Sequence, residues 1–285
     1  MPIFGSKTVR RRRLMALAQA GALGFAPQTH AADAVAIDAA TTSSVQNFDD
    51  QRFGGIQQKL HDWDVLVGPV VLYTPSFEGA KRMKFVPLPM ISAKFYDRIS
   101  VSPLGVSVRA YENSGFTLDV KGGLEMGRNE DDDDHLEGLG DIKSGGVFGT
   151  TLGYQMGPAE VYASIDKTFG GSDGLTGTLG AKVSHQYDRF LFSLGASMTL
   201  ADEKHMDSYF GVTQKQSARS GLAAYDAGAG IKRFDVEASA IYLINENWLV
   251  RSQVGIGFLT GDAADSPVTQ RQVQPSAMFA VGYKF

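Results

Sequence analysis

The residue types that most often carry chemistry are sparse in this chain and poorly spaced for it. Its five histidines stand at positions 30, 61, 135, 185 and 205. There is no HExxH run and no paired ligand spacing, so neither catalytic nor structural zinc has a ligand set. Gly228 and Gly230 are followed by Ile231 and Lys232 without the third glycine of a dinucleotide fingerprint, and no phosphate loop occurs. Gly195 and Ser197 could open a nucleophile elbow, but Thr199 stands where its closing glycine belongs. Ser184 and His185 form the one adjacent serine–histidine pair. With an acid on a lipid-facing surface, such a pair would be the core of a lipid hydrolase. The chain has no cysteine, which removes thiol nucleophiles, thiolate ligands and disulfides together. No cofactor is expected.

Carboxylates are the one dense feature. Asp131, Asp132, Asp133 and Asp134 are consecutive, flanked by Glu130 and Glu137. Like charges so close repel one another, so the run is expected to be a solvated loop. A loose divalent-ion site facing lipopolysaccharide phosphates would use the same hard oxygens, although no EF-hand spacing supports it.

These side chains must be positioned by elements that composition already narrows. Of 285 residues, 43% are hydrophobic, 10% aromatic and 20% charged, and 33 are glycine. Charge is low and glycine high for a globular chain, as short turns between strands require. No apolar run is long enough for a membrane-crossing helix. Lys7 and Arg10 to Arg13 precede the apolar stretch from Leu14 to Ala26, and Thr29, Ala31 and Ala34 supply small residues beyond Pro27. Residues 1–31 are therefore expected to be a secretory signal, cut after Ala31 or, alternatively, Ala34. Cleavage takes away five basic residues and leaves 22 against 31 acidic, shifting the net charge from −4 to −9. A mature protein that acidic repels nucleic acid. Residues 32–62 are polar, without sustained alternation, and are read as a flexible periplasmic segment whose few anchors for a partner are Phe48, Phe53 and Ile56.

From residue 63 onward the chain has period two. Phe116, Leu118, Val120, Leu124 and Met126 alternate with Thr117, Asp119, Lys121 and Glu125, and similar rows surround Leu194, Val236 and Ile256. Each row gives a strand one apolar and one polar face. Segments of 12 to 14 residues, aromatics at the row ends, and connections that alternate between short and long predict an antiparallel transmembrane β-barrel over residues 63–285. Eleven strands are plain. Parity demands an even number, and the flip across Ser102 and Pro103 places the twelfth near residues 98–102, with ten strands as the alternative. Arg109, Asp119, Lys121, Glu125, Asp166, Lys182, Asp235, Glu237 and Arg251 then face the lumen, where both signs can pair and fill it. At the C-terminus, Phe279, Val281, Tyr283 and Phe285 form an alternating row that resembles the signal read by the bacterial barrel-assembly machinery.

Several motifs carry a family resemblance. Tyr73 to Gly79, with Pro75 and Glu78 inside it, is followed by Val86-Pro-Leu-Pro89. Ser208 to Val212 contains Tyr209, Phe210 and Gly211, and Ser217 to Leu222 contains Arg219, Ser220 and Gly221. Gly261 to Pro267 contains Asp262, Asp265 and Ser266, and the chain closes on Gly282-Tyr-Lys-Phe285. In this order the motifs resemble the MipA/OmpV family (MltA-interacting protein, outer membrane protein V). Ala80 departs from the serine usual there. The resemblance implies a Gram-negative outer-membrane barrel in contact with lipid and lipopolysaccharide, named for a member that scaffolds a lytic transglycosylase and a murein synthase. The expectation is a non-enzymatic envelope scaffold; a narrow solute channel and an outer-membrane lipid hydrolase are the alternatives.

Overall fold

Alternation of side chains along each strand is what allows a sheet to curl with one face dry and the other sealed from lipid. In the computed structural model, which describes residues 63–285, twelve antiparallel strands close in chain order, with β1 paired to β12. They are β1 (Trp63–Pro75), β2 (Met83–Phe95), β3 (Ile99–Ser102), β4 (Gly105–Asn113), β5 (Phe116–Glu125), β6 (Gly145–Met156), β7 (Ala159–Phe169), β8 (Leu175–Tyr187), β9 (Phe190–Ala201), β10 (Gly230–Leu243), β11 (Trp248–Leu259) and β12 (Val273–Lys284). Among the described residues three short α-helices lie in the loops: α1 (Glu203–Phe210), α2 (Gln214–Ser220) and α3 (Gly261–Asp265). No helix among the described residues is long and apolar enough to cross a membrane.

The strand at 98–102 exists, as β3, and it is only four residues long. The parity flip comes from a two-residue turn at Pro103 and Leu104 rather than from a bulge, because Ser102 pairs directly with Gly105. Turns at the end where the barrel starts and finishes are tight. Ser114 and Gly115, both with positive φ, join β4 to β5 in the mirror-image geometry that suits strand twist. Loops at the other end are longer, the largest spanning residues 126–144, 202–229 and 260–272.

The outer face is apolar, with Leu124, Leu152, Ile165, Leu179, Leu194, Val236 and Val254 exposed. Two aromatic belts bound it. Tyr73, Phe85, Phe148, Phe169, Phe234 and Phe258 lie toward the long loops, and Phe116, Tyr187, Phe190, Trp248 and Phe285 toward the short turns. Rings within a belt meet across strands, as Tyr73 with Phe85 at 4.7 Å and Trp248 with Tyr283 at 5.0 Å. This is how a barrel seats itself at both membrane interfaces.

The inside has two characters. Around β4 to β9 it is polar, whereas Leu66, Val70, Leu72, Met90, Ile241, Leu243, Leu249 and Ala280 form a buried apolar cluster in the lumen between β10 and β2. Gly282 makes room for it, since a Cβ there would come within 2.8 Å of both Leu66 and Met90. Charged side chains are therefore only part of what fills the lumen. The middle of β1 and of β2, from Val65 to Leu72 and from Phe85 to Ile91, is apolar on both faces.

Candidate functional site at the capped mouth

The charged lumen residues sit on inward positions and pair along the wall. Arg109 Nε donates to Asp119 Oδ1 at 3.0 Å across the β4–β5 ladder, and its Nη1 reaches Glu112 at 3.3 Å. Lys182 faces Glu160 at 3.4 Å, and Lys121 reaches Asp166 at 2.9 Å over the intervening β6. Gly149 permits that crossing, because a Cβ there would collide with Asp166. Gln253 donates to Glu237 at 3.0 Å and accepts from Arg251 at 2.8 Å. Each charge is thus answered by a neighbour, as a low-dielectric interior requires.

Above this belt, the long loops fold into a cap with two cores of its own. Met206, Tyr209, Phe210, Ala227, Leu259 and Ala263 form one, and Phe77, Ala80, Leu136, Leu139, Val212 and Val268 form the other. α1 begins where the Asp202 side chain accepts from the His205 N–H. α2 carries a capping box between Thr213 and Gln216 and ends at Gly221, whose φ of 76° is left-handed.

The motif residues that are far apart in sequence converge here. Glu78 and Gly79 lie in the β1–β2 loop, Tyr209 and Phe210 in α1 with Gly211 at its end, and Ser266 and Pro267 just after α3. Ser266 Oγ donates to the Phe210 carbonyl at 2.5 Å, and His135 Nε2 lies 3.1 Å from the Pro267 carbonyl oxygen. Gly79 has φ 97°, and its carbonyl accepts from both Gln270 and Arg271. A Cβ there would press to 2.9 Å from Thr269 Oγ1, so both conformation and space demand glycine. Asp262 accepts from the Gly228 N–H at 2.7 Å, whereas Arg219 and Asp265 are exposed. Pro75 closes β1, and Ser220 bonds back to the Gln216 carbonyl.

Under the cap lies a buried polar network that joins the motif residues Glu78 and Tyr209 and the inward charges Glu125 and Asp235 to Lys232, Arg233, His205, Ser172 and Arg128, which no sequence motif announced. Glu78 accepts from Lys232 Nζ at 3.3 Å and from Arg233 Nη1 at 3.1 Å, and Arg233 also pairs with Asp235. Lys232 Nζ stands 3.1 Å from His205 Nε2. An ammonium only donates, so His205 offers Nε2 as acceptor and turns a protonated Nδ1 toward Glu125, 3.8 Å away. Glu125 also accepts from Ser172 Oγ at 2.9 Å and from the Tyr209 hydroxyl at 3.0 Å. Arg128 Nη1 donates to the Tyr209 carbonyl at 2.8 Å; burial lowers its pKa to about 10, offset in part by Tyr209 and Asp132, and it stays charged at neutral pH.

This arrangement braces the mouth and offers no poised nucleophile. Ser172 bonds to a carboxylate, and the basic nitrogen of His205 is taken by Lys232. Ser184 and His185 lie on opposite faces of β8, with Ser184 bonded to Ser193 at 2.9 Å and His185 turned outward, so they form no dyad. Among the described residues no group of three or more His, Asp or Glu could hold a metal ion. The acidic run departs from a purely solvated loop. Asp133 is buried, accepting from Ser76 Oγ at 2.6 Å and Arg82 Nε at 2.9 Å. Phe48, Phe53 and Ile56 lie outside the described residues, as do the expected signal and its cleavage site.

Apolar outer face, aromatic belts and closed ladder define a transmembrane barrel of the bacterial outer-membrane class. Residues 67–285 match the family described as MltA-interacting protein MipA, and the chain belongs to it. The Escherichia coli K12 protein named "Putative outer membrane protein YiaT" is 26% identical over 164 residues, covering 57% of this chain and 66% of that protein. Among solved structures, OmpT of Vibrio cholerae covers 79% of this chain and 97% of its own at 10% identity and a TM-score of 0.36. OmpF of Salmonella typhi, in complex with daunomycin, gives 11% identity, the same coverage and a TM-score of 0.37. The protein resides in the outer membrane.

Proposed function

We propose that this protein is a non-enzymatic scaffold of the Gram-negative envelope, holding murein-acting enzymes at the inner surface of the outer membrane. The observation that carries this reading is a lumen that holds paired charges and an apolar cluster beneath a capped mouth. The cap, the paired charges and the apolar cluster leave the surfaces, rather than a path, as the working parts. The family name refers to an interaction with MltA, and the motif resemblance implies a lytic transglycosylase and a murein synthase as the partners. Turns on the periplasmic side are short, so the contact proposed is the segment at 32–62, which lies outside the described residues. The test deletes residues 36–58 behind an intact signal and crosslinks the envelope. Loss of crosslinks to murein enzymes, with the barrel still assembled, is the expected result; unchanged crosslinks would place the contact on the turns or the barrel wall.

The narrow-channel reading draws on the charged belt. Planar-bilayer recordings separate the two: the native protein should give no steps. Steps from the native protein would favour the channel.

A further inference from the structure

β2 is joined to β3 by only three pairs, Ala93 with Val101, Lys94 with Ser100 and Phe95 with Ile99, whereas it pairs with β1 along its whole length. Above Ser92 no described strand bonds to the β3-facing edge of β2. The chain accommodates this opening. Ser76 N–H donates to the Arg82 carbonyl at 2.9 Å, which sets the hydrogen-bonding parity of the β1–β2 ladder. Counting down by twos, Lys84, Val86, Leu88 and Met90 bond toward β1, and the odd residues of β2 point their backbone groups into the seam. Two of those odd residues are Pro87 and Pro89. Proline has no N–H to lose, so the edge exposes two fewer unanswered donors to hydrocarbon than it would with other residues there. The same prolines prevent β3 from being extended upward as a bonded strand.

The β2 bank of the seam is apolar on both faces from Phe85 to Ile91. Phe85, Pro87, Pro89 and Ile91 face outward and are exposed. Val86 and Leu88 face inward and are half-buried, and with Leu104 at the β3–β4 turn they pack on the lumenal apolar cluster. Arg82 with Asp133 and Lys84 with Asp132 bar the seam at the top, where the loop after β5 crosses to β2.

We infer that this seam is a lateral portal that admits the acyl chain of an outer-membrane lipid against Val86, Leu88 and Leu104. Three observations choose this occupant. The seam lies below the aromatic belt marked by Tyr73 and Phe85, at the depth of the hydrocarbon. A strand from another protein or a second copy would need the donors that Pro87 and Pro89 lack. A hydrated solute would find no polar side chain on Val86, Leu88 or Leu104, whereas an acyl chain needs none.

The test reconstitutes the mature chain into phospholipid vesicles containing a phospholipid with a diazirine midway along one acyl chain, irradiates them, and maps the labelled residues by mass spectrometry. Expected is labelling of inward Val86 and Leu88 at least tenfold above Tyr162, an inward residue on β7 that is paired on both sides. Label confined to outward positions such as Phe85 and Ile91 would overturn the portal. Leu104→Trp, which narrows the seam, should cut inward label at least fivefold and leave Phe85 labelled. Undiminished inward label in a barrel that still shows the gel shift of a folded protein would overturn this route. Should that variant fail to insert, the native protein's label decides.

Discussion

Glu78 and Arg233, 155 residues apart in the chain, meet at 3.1 Å with both side chains buried. Lys232 completes the contact, so one carboxylate from the first loop answers two cations on β10. Glu78→Ala leaves those cations sharing Asp235. Removing one partner from such a buried group costs about 3 to 5 kcal/mol. The expected outcome is a cap that external protease cleaves, on a barrel that still migrates as folded before heating. Protection equal to that of the native protein would count against the bracing role.

Asp133 gives the mouth a dependence on pH. Burial opposes its ionisation, but hydrogen bonds from Ser76 and the His135 N–H and the charge of Arg82 outweigh it and hold its pKa below the usual carboxylate value. A depressed carboxylate contributes stability above its unfolded pKa, near 4, and loses it as pH falls through the folded value. Protease protection of residues 126–144 should therefore hold at neutral pH and decay only below about pH 4. Asp133→Asn should weaken it at neutral pH and flatten the acid response.

Register on the lipid face is open to a paired substitution. Leu194 points outward and is 56% exposed, while Ser193 points inward and bonds to Ser184. Leu194→Arg should cost about 2 to 4 kcal/mol near the bilayer midplane, and Ser193→Arg less, because its charge enters a polar interior. Urea unfolding from lipid vesicles measures both; an inverted ranking would mean the faces are exchanged.

Phe285 ends the outward row that includes Phe279, Val281 and Tyr283, packs edge-on against Tyr283 at 4.8 Å, and donates its N–H to Val65 at 3.0 Å. Deleting it removes a girdle ring, a bond that helps close β12 on β1, and the end of the proposed assembly signal. Outer-membrane levels of folded barrel should fall sharply, with unfolded chain accumulating in the periplasm. Unchanged levels would remove this residue from assembly.

How much of this was legible in the sequence depends on where alternation survives. β5, β9, β10 and β11 keep a polar and an apolar face, and their rows show the barrel most plainly, with inward charges on β5, β10 and β11. The middle of β1 and of β2 is apolar on both faces, so the lumenal cluster around Leu66 and Met90 does not stand out from its outward neighbours in sequence. β3 was traceable only through the parity break at Pro103, since four residues carry too little pattern by themselves. The cap was out of reach for a different reason. His205 looks isolated in sequence, and its partners Lys232 and Glu125 come close only once strands and loops have been arranged around the mouth.

The chain has no cysteine, so nothing covalent holds the cap across the barrel. Its contacts run from the β1–β2 loop to the start of β12 and the loop before it: Gln274 accepts from the Gly79 N–H at 3.2 Å, and Gln270 accepts from the Lys81 N–H at 3.0 Å. Contacts between the first and last loops carry the largest loop-closure cost and form late. The mouth is consequently a timer for maturation: it can lock only after the final strand has met the first, and resistance to protease from outside marks the barrels in which that meeting has taken place.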